Sequence, residues 1–441
     1  IVQRTPESFT DKFYAFKRIF FFGGEFFSLI KEGVEILYGT YAVAAHKQGD
    51  KIDAVIVENK SGRQGIAVKS VVDATGEWEH DGFSGEIADG KIWGRGTVDT
   101  KTPLFAELQA AEELLSEGFV PETNLWLGSS HNEEISGDGI PLAVEYFKKE
   151  GIEFEAVLDE GGGIIDPPIG GTKPKCAMIA VHEKGRRTLI CTAKQGKAKY
   201  GCVSLMAKFI SEVNESKIFD RKLYPEVRAM FRQLCPHLPF AFSLIFANLW
   251  LFAPVVKAVM PKINHLAEGM LGTTCSFTEI SGNNAEKICT VKAFFRPMNA
   301  EDFEKELEKF RKIAEKYGIE VTDGKENEVY RPADMADKHF AYTEKCIAEI
   351  FPHAVTSAYL LTAGTDARHM TAISPCALRF APIEMNNEQF ASVHSENEYV
   401  SLEGIGNCVA FYKEFIKNYK ENTMQEFFHI RLLFVFRAKR R

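Results

Sequence analysis

Residues 94–128, GRGTVDTKTPLFAELQAAEELLSEGFVPETNLWLG, run through a loop, a helix and a strand in one stretch. Gly94 and Gly96 permit a tight turn ahead of Asp99. From 102 to 117 the apolar residues Leu104, Leu108, Ala111, Leu114 and Leu115 recur at helical spacing, and Gly118 closes the segment. The apolar run at 124–128 then reads as a strand. A turn that aims a carboxylate, an amphipathic helix and a following strand make the repeating unit of an α/β sheet.

Working outward, a polar loop with Glu133 and Glu134 leads to a helix at about 141–149 and an apolar strand at 154–158, which ends on Asp159 and Gly161 to Gly163. Between about 188 and 321 the pattern changes to strands (188–193, 288–295) and long helices such as 300–317, read as an inserted α+β domain. A helix at 335–351, strands at 355–361 and 378–380, and a helix at 401–418 return to the first domain. Upstream, residues 34–45, 52–58 and 66–73 read as a β-meander, with Ser61-Gly62-Arg63 as a turn.

A chain of 441 residues exceeds what one core of roughly 250–300 residues supplies, so two domains are expected. The hydrophobic fraction of 45% and charged fraction of 26% are those of a folded globular chain. Net charge is −8, and the one basic cluster, Arg437 with Lys439, Arg440 and Arg441, stands at the C-terminal end, so nucleic acid is not expected as a partner. Nine cysteines without a CxxC pair argue against a disulfide framework or a thiolate zinc knuckle and fit a reducing cytoplasm. No secretory signal pattern is read at the N-terminus, where Phe20, Phe21 and Phe22 make a short aromatic run. The stretch 237–256, HLPFAFSLIFANLWLFAPVV, carries no Lys, Arg, Asp or Glu. Pro239, Asn248 and Pro254 interrupt it, so a buried or interface-packing helix hairpin is expected there, and no membrane partner.

Acidic residues stand at strand ends or in Gly-rich loops: Asp99 in GRGTVDTK, Glu133 and Glu134 in SSHNEE, Asp159 in AVLDEGGG. Ligands of open α/β sheets gather at such ends. Carboxylates gathered in one crevice repel unless a cation sits among them, which argues for a metal. Taken singly, each acid reads as a solvated surface group, His394 as an ordinary polar residue and Arg368 as a surface salt-bridge partner.

The ordered series WEHDGFSGEIADGKIWGRGTVDTK (78–101), HNEEISG, LDEGGG, TAGTDARH and VHSENE resembles the dinuclear zinc hydrolases that include carboxypeptidase S, aminoacylase and Gly-Xaa carboxypeptidases, over about 77–420. The resemblance implies a zinc-peptidase-like α/β catalytic domain with a central mixed sheet (77–185 and 326–420) and an inserted α+β, ferredoxin-like lid or dimerisation domain (186–325). Residues 1–76 and 421–441 flank them as an N-terminal segment and a tail. It further implies that Asp99 bridges two Zn2+ ions, that Glu134 and Asp159 each complete one ion together with a histidine, and that His394 is one of those histidines. Glu133 is implied as general base and Arg368 as the grip on a substrate carboxylate. The implied substrate is a dipeptide or N-acyl amino acid cleaved at the amide beside its free carboxylate, and the implied assembly a homodimer. His80 and His131 have no ligand role in the motif.

The series also departs from its family. An HxDVVP motif, whose His binds zinc, is expected before Trp78; sliding it back places Val68, Ser70 and Asp73 at its His, Asp and Pro. Residues 33–76 instead resemble the strand meander and DATG segment of FAD-dependent oxidoreductases, without the GxGxxG fold that holds a flavin pyrophosphate. A junction is therefore read at 74–77, and the tail 424–441 reads as equally foreign. QGKAKYG (195–201) replaces a GGHSS-like stretch, and Phe294 and Phe295 precede Arg296 where an Asn is usual. Three readings stay open: a hydrolase with one or two zinc ions, a non-catalytic relative (pseudoenzyme or chimeric chain) with a partial metal site, and a flavoprotein, which a yellow purified protein would reveal.

Overall fold

The computed structural model describes residues 78–419, apart from 131–132, 136, 169–172, 195–200, 217, 264 and 284, together with strands at 41–48, 51–59, 62–67 and 431–437. Val68, Ser70, Asp73, His131, the 74–77 junction and nearly all of QGKAKYG lie outside the described residues. The chain divides into two compact units, Ile1–Glu153 with Ala381–Arg441, and Phe154–Phe380. The second unit thus holds the segment read as inserted together with strands that precede and follow it.

In the first unit, β1 (Tyr41–Gln48), β2 (Lys51–Asn59) and β3 (Gly62–Ala67) form the expected antiparallel meander, with β3 starting four residues before its expected position. β4 (Ile87–Ala88) and β5 (Lys91–Trp93) pair across a turn where Asp89 and Gly90 both take positive φ, 50° and 72°. α1 (Thr102–Ser116) has Pro103 in its first turn and Gly118 at φ 78° after its end. Its buried face is Ala106, Glu107, Ala110 and Leu114, whereas Leu108 and Leu115 of the expected apolar stripe are exposed. β6 (Asn124–Ser130) and α2 (Gly139–Lys149) follow.

The second unit runs β7 (Ala156–Asp159), β8 (Gly163–Ile165), β9 (Cys176–Glu183), β10 (Arg186–Lys194), α3 (Cys202–Glu215), α4 (Pro225–Leu234), α5 (Phe240–Ala247), α6 (Leu249–Val259), β11 (Thr274–Asn283), β12 (Ile288–Arg296), α7 (Ala300–Lys316), β13 (Ile319–Glu328), α8 (Lys338–Ile350), β14 (Val355–Leu361), α9 (Ala367–Met370) and β15 (Cys376–Arg379). β7, β9 and β15 are buried along their whole length, as strands covered on both faces must be. β7 and β15 pair in parallel, as do β9 and β14. The other sheet is antiparallel, in the order β11-β12-β10-β13, and alternates: Leu189, Cys191 and Ala193 of β10 and Val291, Ala293 and Phe295 of β12 share a core with Phe209 of α3 and Leu307 and Phe310 of α7. Phe295 therefore points into the core, its ring 5.0 Å from that of Phe310.

The apolar stretch forms the expected hairpin, with α5 and α6 bent by 111° about Asn248, but it is not buried. α5 buries no residue and α6 only Leu249 and Val256. Ile245 and Phe246 lean on the α4 side, Phe246 stacking at 4.2 Å on Phe231, and the opposite apolar face stays exposed. Among the described residues no single helix is long and apolar enough to cross a membrane.

The chain re-enters the first unit with α10 (Asn387–Ser392), β16 (Tyr399–Ser401), α11 (Leu402–Asn418) and β17 (Arg431–Arg437). α11 starts on a Ser401 cap and packs on α1, where Lys413 reaches Glu113 at 2.8 Å and Glu117 at 2.9 Å. β17 pairs in parallel with β6, Leu432 opposite Leu125. The tail read as foreign thus contributes a strand to this unit.

Candidate metal centre

The site in the first unit starts from the pairing of β16 with β5, Tyr399 opposite Trp93. That register lays the loop 393–398 over the loop 94–99, and Gly94 N donates to Glu398 O at 2.8 Å. Glu398 is fully buried. One of its carboxylate oxygens accepts from Arg95 Nη1 and Gly96 N, both at 2.9 Å, and the other from Val98 N at 2.9 Å and Asp99 N at 3.1 Å. Four donors on one carboxylate fix the backbone that presents Asp99. Gly96 adopts φ 83°, which a side chain would resist. Arg95 also donates to Ser395 O and lies 5.0 Å from the Trp78 ring centre. His80 stacks on Trp93 at 4.2 Å and pairs with Glu86.

Held in this way, Asp99 Oδ2 lies 2.7 Å from His394 Nε2, and Glu134 Oε2 lies 3.5 Å from the same nitrogen. His394 sits in the left-handed region at φ 63°, on the loop that Asn397 ties down by accepting from Glu79 N at 2.8 Å. The Asp99 carboxylate is nearly covered and the imidazole more than half exposed. The hydrogen bond with Asp99 raises the His394 pKa against the opposing pull of burial. Donor atoms of Asp99, Glu134 and His394 all lie within 4.8 Å of one another. Two carboxylates and one imidazole are a donor set that suits a zinc-like divalent ion, and the trio fits one. Glu133 is buried beside Glu134 in the 3-10 turn Glu133–Ile135 that follows β6.

Asp159 and Arg368 belong to the second unit. Asp159, buried at the end of β7, accepts from Glu160 N at 2.8 Å and Ala367 N at 2.5 Å, and burial, reinforced by Asp366, pushes its pKa well up. Arg368 is no surface residue: it is 1% exposed, donates from Nη1 to Thr365 O at 2.6 Å, and has Nε 3.1 Å from His369 Nε2. Burial, then the Arg368 charge, lowers the His369 pKa to about 4. The structure therefore brings Asp99, Glu134 and His394 together, sets Glu133 beside them in sequence, and describes Asp159 and Arg368 in surroundings of their own.

A second three-donor group, Asp337, His339 and Cys376, is a sealed helix cap. Asp337 caps α8 by accepting from His339 N at 2.8 Å and also meets His339 Nδ1 at 2.6 Å, while His339 Nε2 faces Glu155 at 3.2 Å. Burial, then Asp337, pushes the Cys376 thiol far above its ordinary pKa, so it stays protonated.

Glu398 is the residue that reading the sequence missed. VHSENE holds two acids, Glu396 and Glu398, and the exposed and the fully buried one look alike in a single sequence.

The profile of peptidase family M20/M25/M40 matches residues 67–418. The N-fatty-acyl-amino acid synthase/hydrolase of Xenopus tropicalis is 28% identical over 366 residues, covering 80% of this chain and 71% of that protein. The probable carboxypeptidase S-like 2 of Dictyostelium discoideum is 27% identical over 359 residues, covering 78% and 68%. Among solved structures, an M20 family metallo-carboxypeptidase from Sulfolobus solfataricus superposes with a TM-score of 0.50 at 18% identity, over 79% of this chain and 82% of that one, a likeness of fold. The oxidoreductase likeness of residues 33–76 gains no support from these matches.

Proposed function

Because this chain belongs to peptidase family M20/M25/M40, a family of metallopeptidase-type hydrolases, we propose that it hydrolyses an amide bond beside a free carboxylate, in an N-acyl amino acid or a small dipeptide. The observation that supports this most directly is the trio of Asp99, Glu134 and His394, whose donor atoms converge within 4.8 Å. Those three side chains would hold one divalent ion, and we propose zinc. Bound there, such an ion supplies Lewis acidity and lowers the pKa of a coordinated water towards about 7.

The chain's own residues supply the rest. Glu133 takes the proton from the attacking water and returns it to the nitrogen that leaves as the C–N bond breaks. Its carboxylate is buried, away from bulk solvent. Glu398 and Arg95 hold the Asp99 loop, so the metal carboxylate needs little reorganisation. Arg368 is proposed as the grip on the substrate carboxylate, since a planar guanidinium matches a carboxylate in two hydrogen bonds. Asp159 is proposed, by family resemblance, as ligand to a second ion.

One observation favours the second reading, a relative that binds one ion without turnover: Val68 and Ser70 stand where the motif calls for the first zinc histidine and its aspartate. Elemental analysis of the purified chain, with turnover measured on N-acyl amino acids and dipeptides, decides between the two. Metal with turnover that Glu133→Gln abolishes, while leaving metal content unchanged, supports the hydrolase. Metal retained by wild type, lost in His394→Ala, and no turnover of any substrate supports the non-catalytic relative.

A further inference from the structure

From Val227 to Ala267 the chain has no Asp or Glu, although acids outnumber bases in the molecule as a whole. Within those limits lie Arg228, Arg232, Lys257 and Lys262. The same segment contains the α5–α6 hairpin. Its inner side is anchored: Phe231 stacks on Phe246, and Leu249, Val256 and Met260 enter a core shared with Val227, Met230 and Leu234. Its outer side shows Phe240 at 82% exposure and Trp250 at 80%, with Leu244, Leu251, Val255, Val259 and Ile263 also exposed. Every side chain of α5 but Ser243 is apolar and none is fully buried, so the hairpin's outer face is not a piece of this unit's core. Exposed apolar side chains gathered on one short element mark an interaction site rather than ordinary surface scatter.

We infer that the outer face of the α5–α6 hairpin docks onto an anionic lipid surface, with Phe240, Trp250 and Leu251 entering the acyl boundary and the basic residues facing the headgroups. The charge pattern selects this occupant. A second copy docked face to face would set this acid-free segment and its four arginines and lysines against themselves, whereas the same segment complements an anionic headgroup layer. The pair is bent by 111° and neither arm alone is long enough to cross a bilayer, which favours an interfacial element. Lys257 and Lys262 follow the apolar run along α6 and its 3-10 extension, Met260–Lys262, within reach of a headgroup layer that the apolar tip has entered.

The test is flotation of the 441-residue chain with vesicles of phosphatidylcholine alone and of phosphatidylcholine with phosphatidylserine, alongside tryptophan fluorescence and sedimentation velocity. Expected is binding to the anionic vesicles that weakens with salt, with a blue shift that Trp250→Phe removes while binding remains. A Phe240→Ser, Trp250→Ser, Leu251→Ser variant should bind roughly tenfold or more weakly. Lys257→Glu with Lys262→Glu should lose the preference for phosphatidylserine, and an unchanged far-ultraviolet spectrum shows that each variant has folded. No binding to either vesicle, equal binding to both, or a dimer that the triple serine variant dissolves would each overturn the proposal, the last by giving the face to a second copy.

Discussion

Glu398 carries more of the site than its place in the sequence suggests. Four donors converge on its carboxylate, one of them a guanidinium, in a position without solvent. Removing one partner of such a buried pair leaves the other uncompensated and costs about 3–5 kcal/mol. Glu398→Ala should therefore lower the unfolding free energy read from urea titration by about that much, with a lower midpoint, and weaken metal binding, since Asp99 then hangs on an unpinned loop. Glu398→Gln, which keeps one acceptor oxygen, should fall between it and wild type. A midpoint equal to wild type in Glu398→Ala would mean that the loop is held by other contacts. His369 sets a pH dependence of its own. Its folded pKa of about 4 lies below its ordinary 6.5, so as pH falls the unfolded chain takes the proton first. The stability it contributes is full above about pH 6.5 and drains away towards pH 4. Across that window the melting temperature of wild type should fall more steeply than that of His369→Gln, in which the amide oxygen still accepts from Arg368 but does not titrate. Equal slopes would place the neutral imidazole elsewhere.

At the scale of elements, β10, β12 and α7 were the most legible part of the chain, while their neighbours β11 and β13 were not read as strands. β12 and α7 lie within a residue of their expected bounds, because Val291, Ala293 and Phe295 alternate at strand spacing and Phe303, Leu307, Phe310 and Ala314 recur at helical spacing. Phe310 stands where the two patterns meet, 5.0 Å from Phe295 and 5.3 Å from Phe209 ring to ring, so Phe310→Ala should cost about 3–5 kcal/mol in denaturant unfolding. A cost below 1 kcal/mol would mean that this core collapses readily around the gap. α1 was legible as a helix but not in its facing. Periodicity weighs leucine above alanine, yet α11 packs on α1, whose buried face presents Ala106 and Ala110 and leaves Leu108 and Leu115 outside. Small residues that admit a neighbouring helix carry little hydrophobic signal in a sequence. The hairpin was legible as a hairpin but not in its facing, for a related reason: the run from Pro239 to Val256 gives apolarity without saying which side finds a partner, and only the inner side does.

For the molecule as a whole, Asp99 and His394 stand almost three hundred positions apart and meet because β16 pairs with β5, with Glu134 joining them from the turn after β6. No periodicity carries that meeting; the ordered motif series did, and it was silent about Glu398, whose work is done through backbone hydrogen bonds. All three donors belong to the first unit, which makes a test of the metal that does not depend on turnover. Trp78, Trp93 and Trp126 lie in the first unit and Trp250 in the second, so in Trp250→Phe every remaining tryptophan reports on the unit that would hold the ion. A ligand that binds only the folded state stabilises by mass action, about 2.7 kcal/mol at a hundredfold excess over Kd. Zinc added to the chelator-stripped Trp250→Phe protein should therefore raise the fluorescence-detected melting temperature, and its removal should lower it again. His394→Ala should leave that temperature insensitive to zinc. If the shift survives His394→Ala, the stabilising ion sits on other residues, and the trio of Asp99, Glu134 and His394 is a hydrogen-bonded cluster and not a metal centre.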